Sequence, residues 1–227
     1  MSQTTATPAV HGARAGLAYG LLGLPLAFVA LPLYVLLPNH YAREYGMPLA
    51  TLGTVLLAAR LLDAGVDPWL GRLSDRLFAR SAGWVLGIGA GSALLLAAGL
   101  SALFLPPEAA QASPGTLIAW ALATLVVTYL AYSQLSIAHQ AWGARLGGDE
   151  MQRGRIVAWR EGAALLGVLT ASVLPSLFGL PAMLGVFAAT LAVGWLAWCG
   201  APRPPAAPAG TADAPALWRP LQRPAFR

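Results

Sequence analysis

The chain has 227 residues, 57% of them hydrophobic and only 10% charged, with a net charge of +5 and a mean hydropathy of +0.63. A soluble domain carries ~25% charged residues, so this composition excludes one and predicts an integral membrane protein whose first partner is the lipid bilayer. All 14 basic residues are Arg and lie beside apolar runs, which argues against nucleic acid as a partner, and the single Cys199 excludes an internal disulfide and a multi-cysteine metal site.

Residues 1–14 read as a short polar N-terminus, and the apolar run 15–37 as span 1. That run is too long for a signal-peptide core and lacks a small-residue cleavage site. Pro25 and Pro32 predict bends within it. A loop from Pro38 to Gly46 leads to span 2, 47–70, roughly 24 residues or about 36 Å of helix, enough to cross a hydrocarbon core of ~30 Å.

Span 2 carries the charges that organise the rest. Arg60, Asp63, Asp67 and Gly71 are spaced 3, 4 and 4 apart and share one helical face. An acid or Arg at the centre of a span costs ~2.5 to 3.5 kcal/mol, so such a face turns to the bundle interior. Two carboxylates one turn apart repel unless a proton, a monovalent cation or a third charge relieves them. The pair Asp63 and Asp67, with Arg60 beside it, is therefore a candidate cation or proton site. The structural alternative is an Arg60–Asp63 ion pair with Asp67 wetted at the interface.

After the basic connection RLSDRLFARSAG comes span 3, 83–105, where Gly83, Gly87 and Gly91 recur every fourth residue and predict close helix contact. The turn-rich stretch Pro106 to Gly115 precedes span 4, 116–138, whose second half holds Tyr129, Tyr132, Ser133, Gln134 and Ser136, with His139 and Gln140 at its end. This hydrogen-bonding capacity suits a polar cavity or contacts between helices, and Ser133 and Gln134 are candidate solute-binding residues. His139 has no second ligand at metal spacing. A charged loop, Arg145 to Arg155, leads to span 5, 156–178, in which Arg160 either snorkels to the headgroups or points inward as a clamp on solute. The turn Pro175 to Pro181 gives span 6, 182–198, and residues 200–227 form a Pro-, Ala- and Arg-rich linker.

The expectation is an all-α, six-span bundle over 15–199. Eleven arginines, among them Arg14, Arg76 and Arg145, fall in the segments that are inner if the N-terminus is inside, against Arg43 alone in the outer loops. That asymmetry predicts both termini inside.

Six spans with the string Gly-x-Leu-Ser-Asp-Arg, Gly71 to Arg76, between spans 2 and 3 resemble the N-terminal half of a major facilitator superfamily transporter, with its 3+3 helix repeat. In that superfamily the Gly allows close helix approach while the acid and Arg lock one access state, roles that fall on Gly71, Asp75 and Arg76. The fuller string, Ala-Arg followed by Asp-Ala-x-x-Asp-Pro-x-x-Gly, is similar to the glycoside-pentoside-hexuronide:cation symporters. The resemblance implies a multi-pass protein of the inner (plasma) membrane. It implies symport of a small polar solute such as a sugar by alternating access, with Na+ or H+ as coupling ion at Asp63 and Asp67 and no other cofactor. It also places the family's inward helix-5 Arg at Arg160. Where that family has a sugar-binding acid in helix 1, this chain has Pro25 to Ala27. The helix-4 acid falls near Ser133, and the Thr that assists sodium falls near Leu130.

Such transporters use two six-helix halves. The expectation is therefore a fragment of a twelve-span carrier, needing a C-terminal half, or a natural half that pairs with a second copy. Two other classes compete with a transporter. One is a non-transporting or inactive six-span protein. The other is a membrane enzyme resembling CDP-alcohol phosphotransferases, on the spacing of Asp63, Asp67, Gly71 and Asp75; here Pro68 stands where that motif has Gly and Ala79 replaces its last Asp.

Overall fold

The computed structural model describes residues 12–205, all of its regular structure helical. The first eleven residues and the linker beyond 205, with its Arg219, Arg223 and Arg227, lie outside the described residues. The first membrane-length stretch is built from α1 (Ala13–Gly20), α2 (Gly23–Phe28), a π-helical turn (Pro32–Leu36) and α3 (Leu37–Glu44). It is followed by α4 (Leu49–Arg80), α5 (Ala82–Phe104), the short α6 (Glu108–Gln111), α7 (Pro114–Arg145) and α8 (Glu150–Cys199).

Among the described residues five helical stretches are long and apolar enough to cross a membrane. The last is 50 residues long, about 75 Å at ~1.5 Å per residue, more than twice a ~30 Å core. It breaks at Gly179, whose φ of 79° is open to glycine alone at little cost. Gly167 and Gly194, on either side of that break, both press against Leu22–Leu24 of the first stretch, so the two legs of α8 flank it at the same level.

The structure corrects four local expectations. The loop placed at Pro38 to Gly46 is instead largely helix α3. The π turn Pro32–Leu36 leads directly into α3, so the helix continues past Pro38. Tyr41 donates to the carbonyl of Leu103 at 2.8 Å, and His40 meets that of Phe104 at 3.1 Å, pinning α3 to the end of α5. The connection placed after span 2, with the Gly71 to Arg76 string, is helix as well, because α4 runs unbroken through Pro68 to Arg80. Likewise the turn set at Pro175 to Pro181 reduces to the one residue Gly179, both prolines staying inside helix.

The fourth concerns glycine. No atom lies within 4 Å of where a side chain would start at Gly87 or Gly91, and Gly83 meets only the neighbouring Ser81 hydroxyl. The close contacts are made elsewhere. Gly99 faces Thr128 of α7, Gly89 faces Trp198, and Gly16, Gly20 and Gly23 lie against the backbone and side chains of Trp159 and Arg160. Outward faces are apolar, with Leu94 at 73% exposure and Phe178 at 67%, as lipid contact requires.

Candidate functional site

Two helices position the charges. α4 and α7 run parallel and in step, for Ser133 meets Asp63 and Arg145 meets Asp75, each pair 70 residues apart. On α4, Asp63 is only 2% exposed. Its two carboxylate oxygens are divided between helices: Ser133 Oγ donates to Oδ1 at 2.8 Å, and Arg60 Nη1 donates to Oδ2 at 3.0 Å. A buried carboxylate without such partners would be driven to neutralise.

Arg60 is itself half exposed. Its guanidinium lies over the rings of Tyr34 and Tyr129, at 5.8 and 5.6 Å from their centroids, and those two rings stack on each other at 6.4 Å. The quadrupoles of the two faces hold the cation in place without consuming its N–H groups. One turn further, Asp67 is partly exposed, with its Oδ1 buried and lacking a hydrogen-bond partner. The amide atoms of Gln134, one residue past Ser133, are buried and unbonded too, as is the hydroxyl of Ser74. This seam thus has one carboxylate bonded at both oxygens by protein groups and another with spare acceptor capacity beside it.

Arg160 lies elsewhere. It lines a cleft of about 150 Å³ between the first stretch, α7 and α8, together with Gly23, Tyr132, Ser136, Gln140 and Glu161. None of the three aspartates of α4 lines it. Arg160 Nε and Nη2 both donate to Glu161 Oε1, at 3.1 and 2.6 Å. The floor is set by His139, which stacks on Tyr19 at 4.4 Å, meets the Tyr19 carbonyl through Nε2 at 2.9 Å, and receives the Tyr19 hydroxyl on its own carbonyl at 3.2 Å. This reciprocal pair ties α1 to α7, so His139 is a packing residue.

At the far end of α4, Asp75 accepts from Arg145 Nη2 at 2.7 Å, and the same guanidinium covers the Phe78 ring at 4.5 Å. Phe78 leans on Trp142, which meets Trp198 and donates to the carbonyl of Pro202 at 2.9 Å. Gly71 has no neighbour within 4 Å at its side-chain position, so no close helix approach occurs there among the described residues, and Arg76 is exposed.

The expected site residues therefore divide into three groups. Arg60, Asp63 and Ser133 come together with Asp67 close by, Asp75 is joined by Arg145, and Arg160 stands apart. Ser133 is a partner of the buried acid and does not line the cleft, and Gln134 is not among the cleft residues. Sequence reasoning missed Arg145, which reads as one more positive charge near a helix end, and Glu161, whose only signal is being next to Arg160. It also left Tyr132, Ser136 and Gln140 out of the solute site, although spacings of four mark them as one face of α7.

The MFS/sugar transport protein family matches residues 13–200 of the chain. A relative in Escherichia coli strain K12, YagG, provisionally named a glycoside/cation symporter, is 27% identical over 154 residues, covering 68% of this chain and 33% of the relative. The inner membrane symporter YicJ of the same organism is 31% identical over 137 residues, 59% of this chain and 28% of the relative. The chain thus spans about a third of the length of these curated relatives. The similarities point to a transporter-family membrane protein and not to an enzyme. With 13–200 covered by one family, the chain belongs to the MFS/sugar transport proteins.

Proposed function

We propose that this chain is the N-terminal six-helix half of a secondary transporter that couples Na+ or H+ to symport of a small polar solute such as a sugar, by alternating access. Residues 15–199 would form the bundle, with 1–14 and the linker 200–227 on the cytoplasmic side of the inner (plasma) membrane. A C-terminal half or a second copy would complete the pathway. The observation that carries this reading is the buried Asp63, held between Ser133 and Arg60, with the unsatisfied oxygen of Asp67 one turn away.

In this mechanism a cation or proton arriving at Asp67 competes with Arg60 for the carboxylate pair. The tyrosine faces already flank Arg60 where it meets Asp63, so they would still hold it if that bond were given up. Because Ser133 belongs to α7, any change at Asp63 is felt in a second helix. Arg160 and its neighbours offer the solute one wall of a binding site, and Gly71, Asp75 and Arg76 belong to the conformational lock, with Arg145 as the acid's partner inside this half. The names of the two relatives, a glycoside/cation symporter and an inner membrane symporter, agree with this assignment.

The test is accumulation of solute in vesicles carrying the assembled transporter. Asp63→Asn and Asp67→Asn each abolish cation-dependent accumulation while membrane insertion stays intact. Wild-type accumulation in both variants would overturn the proposal.

A further inference from the structure

The cleft beside Arg160 contains a charge that the transport reading does not use. Glu161 lines it, and its Oε1 accepts from both Nε and Nη2 of Arg160, at 3.1 and 2.6 Å. Those two nitrogens form one of the edges by which a guanidinium can hold a carboxylate. Here both converge on one oxygen of a carboxylate belonging to the chain itself.

What the cleft offers is therefore mixed. The Arg160 guanidinium, the Tyr132 and Ser136 hydroxyls and the Gln140 amide, which donates to Ser136 Oγ at 2.9 Å, supply donors. The Glu161 carboxylate supplies an acceptor within the same small space. A hydroxyl both donates and accepts, so two neighbouring hydroxyls on a solute can bridge a guanidinium and a carboxylate at once. A carboxylate only accepts, and it would sit against the like charge of Glu161, a repulsion that the 58% exposure of that side chain weakens but does not remove. The cleft's volume of about 150 Å³ is equivalent to roughly five waters at ~30 Å³ each. That suits part of a small polyol and not a large hydrophobic ligand.

We propose that Glu161 is a specificity-determining residue: by setting a negative charge against Arg160 on its Nε–Nη2 edge, it makes the cleft a site for uncharged solutes with adjacent hydroxyls and disfavours those bearing a carboxylate. The inference rests on the transport reading above. It commits that reading to neutral polyhydroxy compounds, sugars or sugar alcohols, and away from sugar acids.

The experiment measures uptake of matched pairs, galactose against galacturonate and glucose against glucuronate, by vesicles carrying the assembled transporter. Each ratio is taken on one preparation, so it does not depend on how much protein has inserted. Wild type takes up the neutral member at least about tenfold better, the size expected of one like-charge clash. Glu161→Gln lowers uptake of the neutral sugar through KM and shifts the ratio by about tenfold towards the acid. Glu161→Asp keeps the charge and keeps the wild-type preference, which a purely structural role at this position would not require. A wild type that prefers the sugar acids, or a Glu161→Gln ratio equal to that of wild type, overturns this inference and leaves coupled transport standing. Accumulation of neither member by wild type counts against the transport reading and this inference together.

Discussion

The seam between α4 and α7 and the seam between the first stretch and α8 hold the same bundle together by opposite means. Along α4 and α7 the contacts are polar and paired, with Ser133 on Asp63 and Arg145 on Asp75, and several buried oxygens beside them have no partner. Along α8 the contacts are close approaches of backbone to glycine. Trp159 and Arg160 carbonyls stand 2.7 and 2.6 Å from the points where Gly20 and Gly23 would begin a side chain, and the Leu24 carbonyl is nearer still to Gly167. Polar pairs can be exchanged one partner at a time, whereas a glycine seam has a single fit. The comparison assigns rearrangement to the first seam and rigid framework to the second.

The glycine seam should give the largest response to mutation. Gly167→Leu drives a branched side chain into the Leu24 backbone, which cannot move aside as a flexible side chain would. Overpacking of this kind costs ~1 to 3 kcal/mol where neighbours relax and more where they are main chain. The variant is expected to lose its cooperative helical melt in detergent, measured by circular dichroism. A melting temperature equal to that of the parent would show that α8 is loosely seated, and the distinction between the two seams would collapse.

A smaller, selective effect is expected at the polar seam. Ser133→Ala removes one of the two bonds to Asp63, at a cost of ~1.5 to 3 kcal/mol for a hydrogen bond to a charged group. Most of that cost should vanish in the Asp63→Asn background. A double-mutant cycle on unfolding free energy should return a coupling of ~1 kcal/mol or more. Additivity within ~0.3 kcal/mol would mean that the 2.8 Å contact carries no energy.

The difference between the seams also explains what could be read from the sequence. The Arg60–Asp63 pair is legible because spacings of three and four are local geometry on any helix. Ser133 and Arg145 are 70 residues from the acids they meet; the polar cluster around Ser133 marks it as functional, but nothing local says that its partner, or that of Arg145, is an acid of α4. Helix extents were underestimated for a different reason. Apolar composition marks where the bilayer is, while α4 and α7, at 32 residues each, run about 48 Å and carry their polar last turns beyond a ~30 Å core. Proline was a poor marker of chain reversal, since Pro175 and Pro181 both remain within helix and the reversal in α8 falls at Gly179.

The smallest expected effect is the one that sequence periodicity ranks highest. Gly83, Gly87 and Gly91, spaced by four, predict a packing stripe on α5, yet Gly87 and Gly91 open onto empty space, while Gly89 and Gly99 make the contacts. A period of four selects one face of a helix but does not say which face meets a neighbour. On α5 the stripe shares its outward side with exposed Leu94 and Ile88, whereas Gly89 and Gly99 share theirs with buried Leu96 and Leu100. Gly91→Leu should therefore change unfolding free energy by no more than ~0.5 kcal/mol, with some compensation from better helix propensity. Gly99→Leu, aimed at Thr128, should cost several times as much in the same detergent melt. Equal losses from the two substitutions would mean that the outward stripe is also a contact surface, and the rigid framework would then extend beyond α8 onto α5.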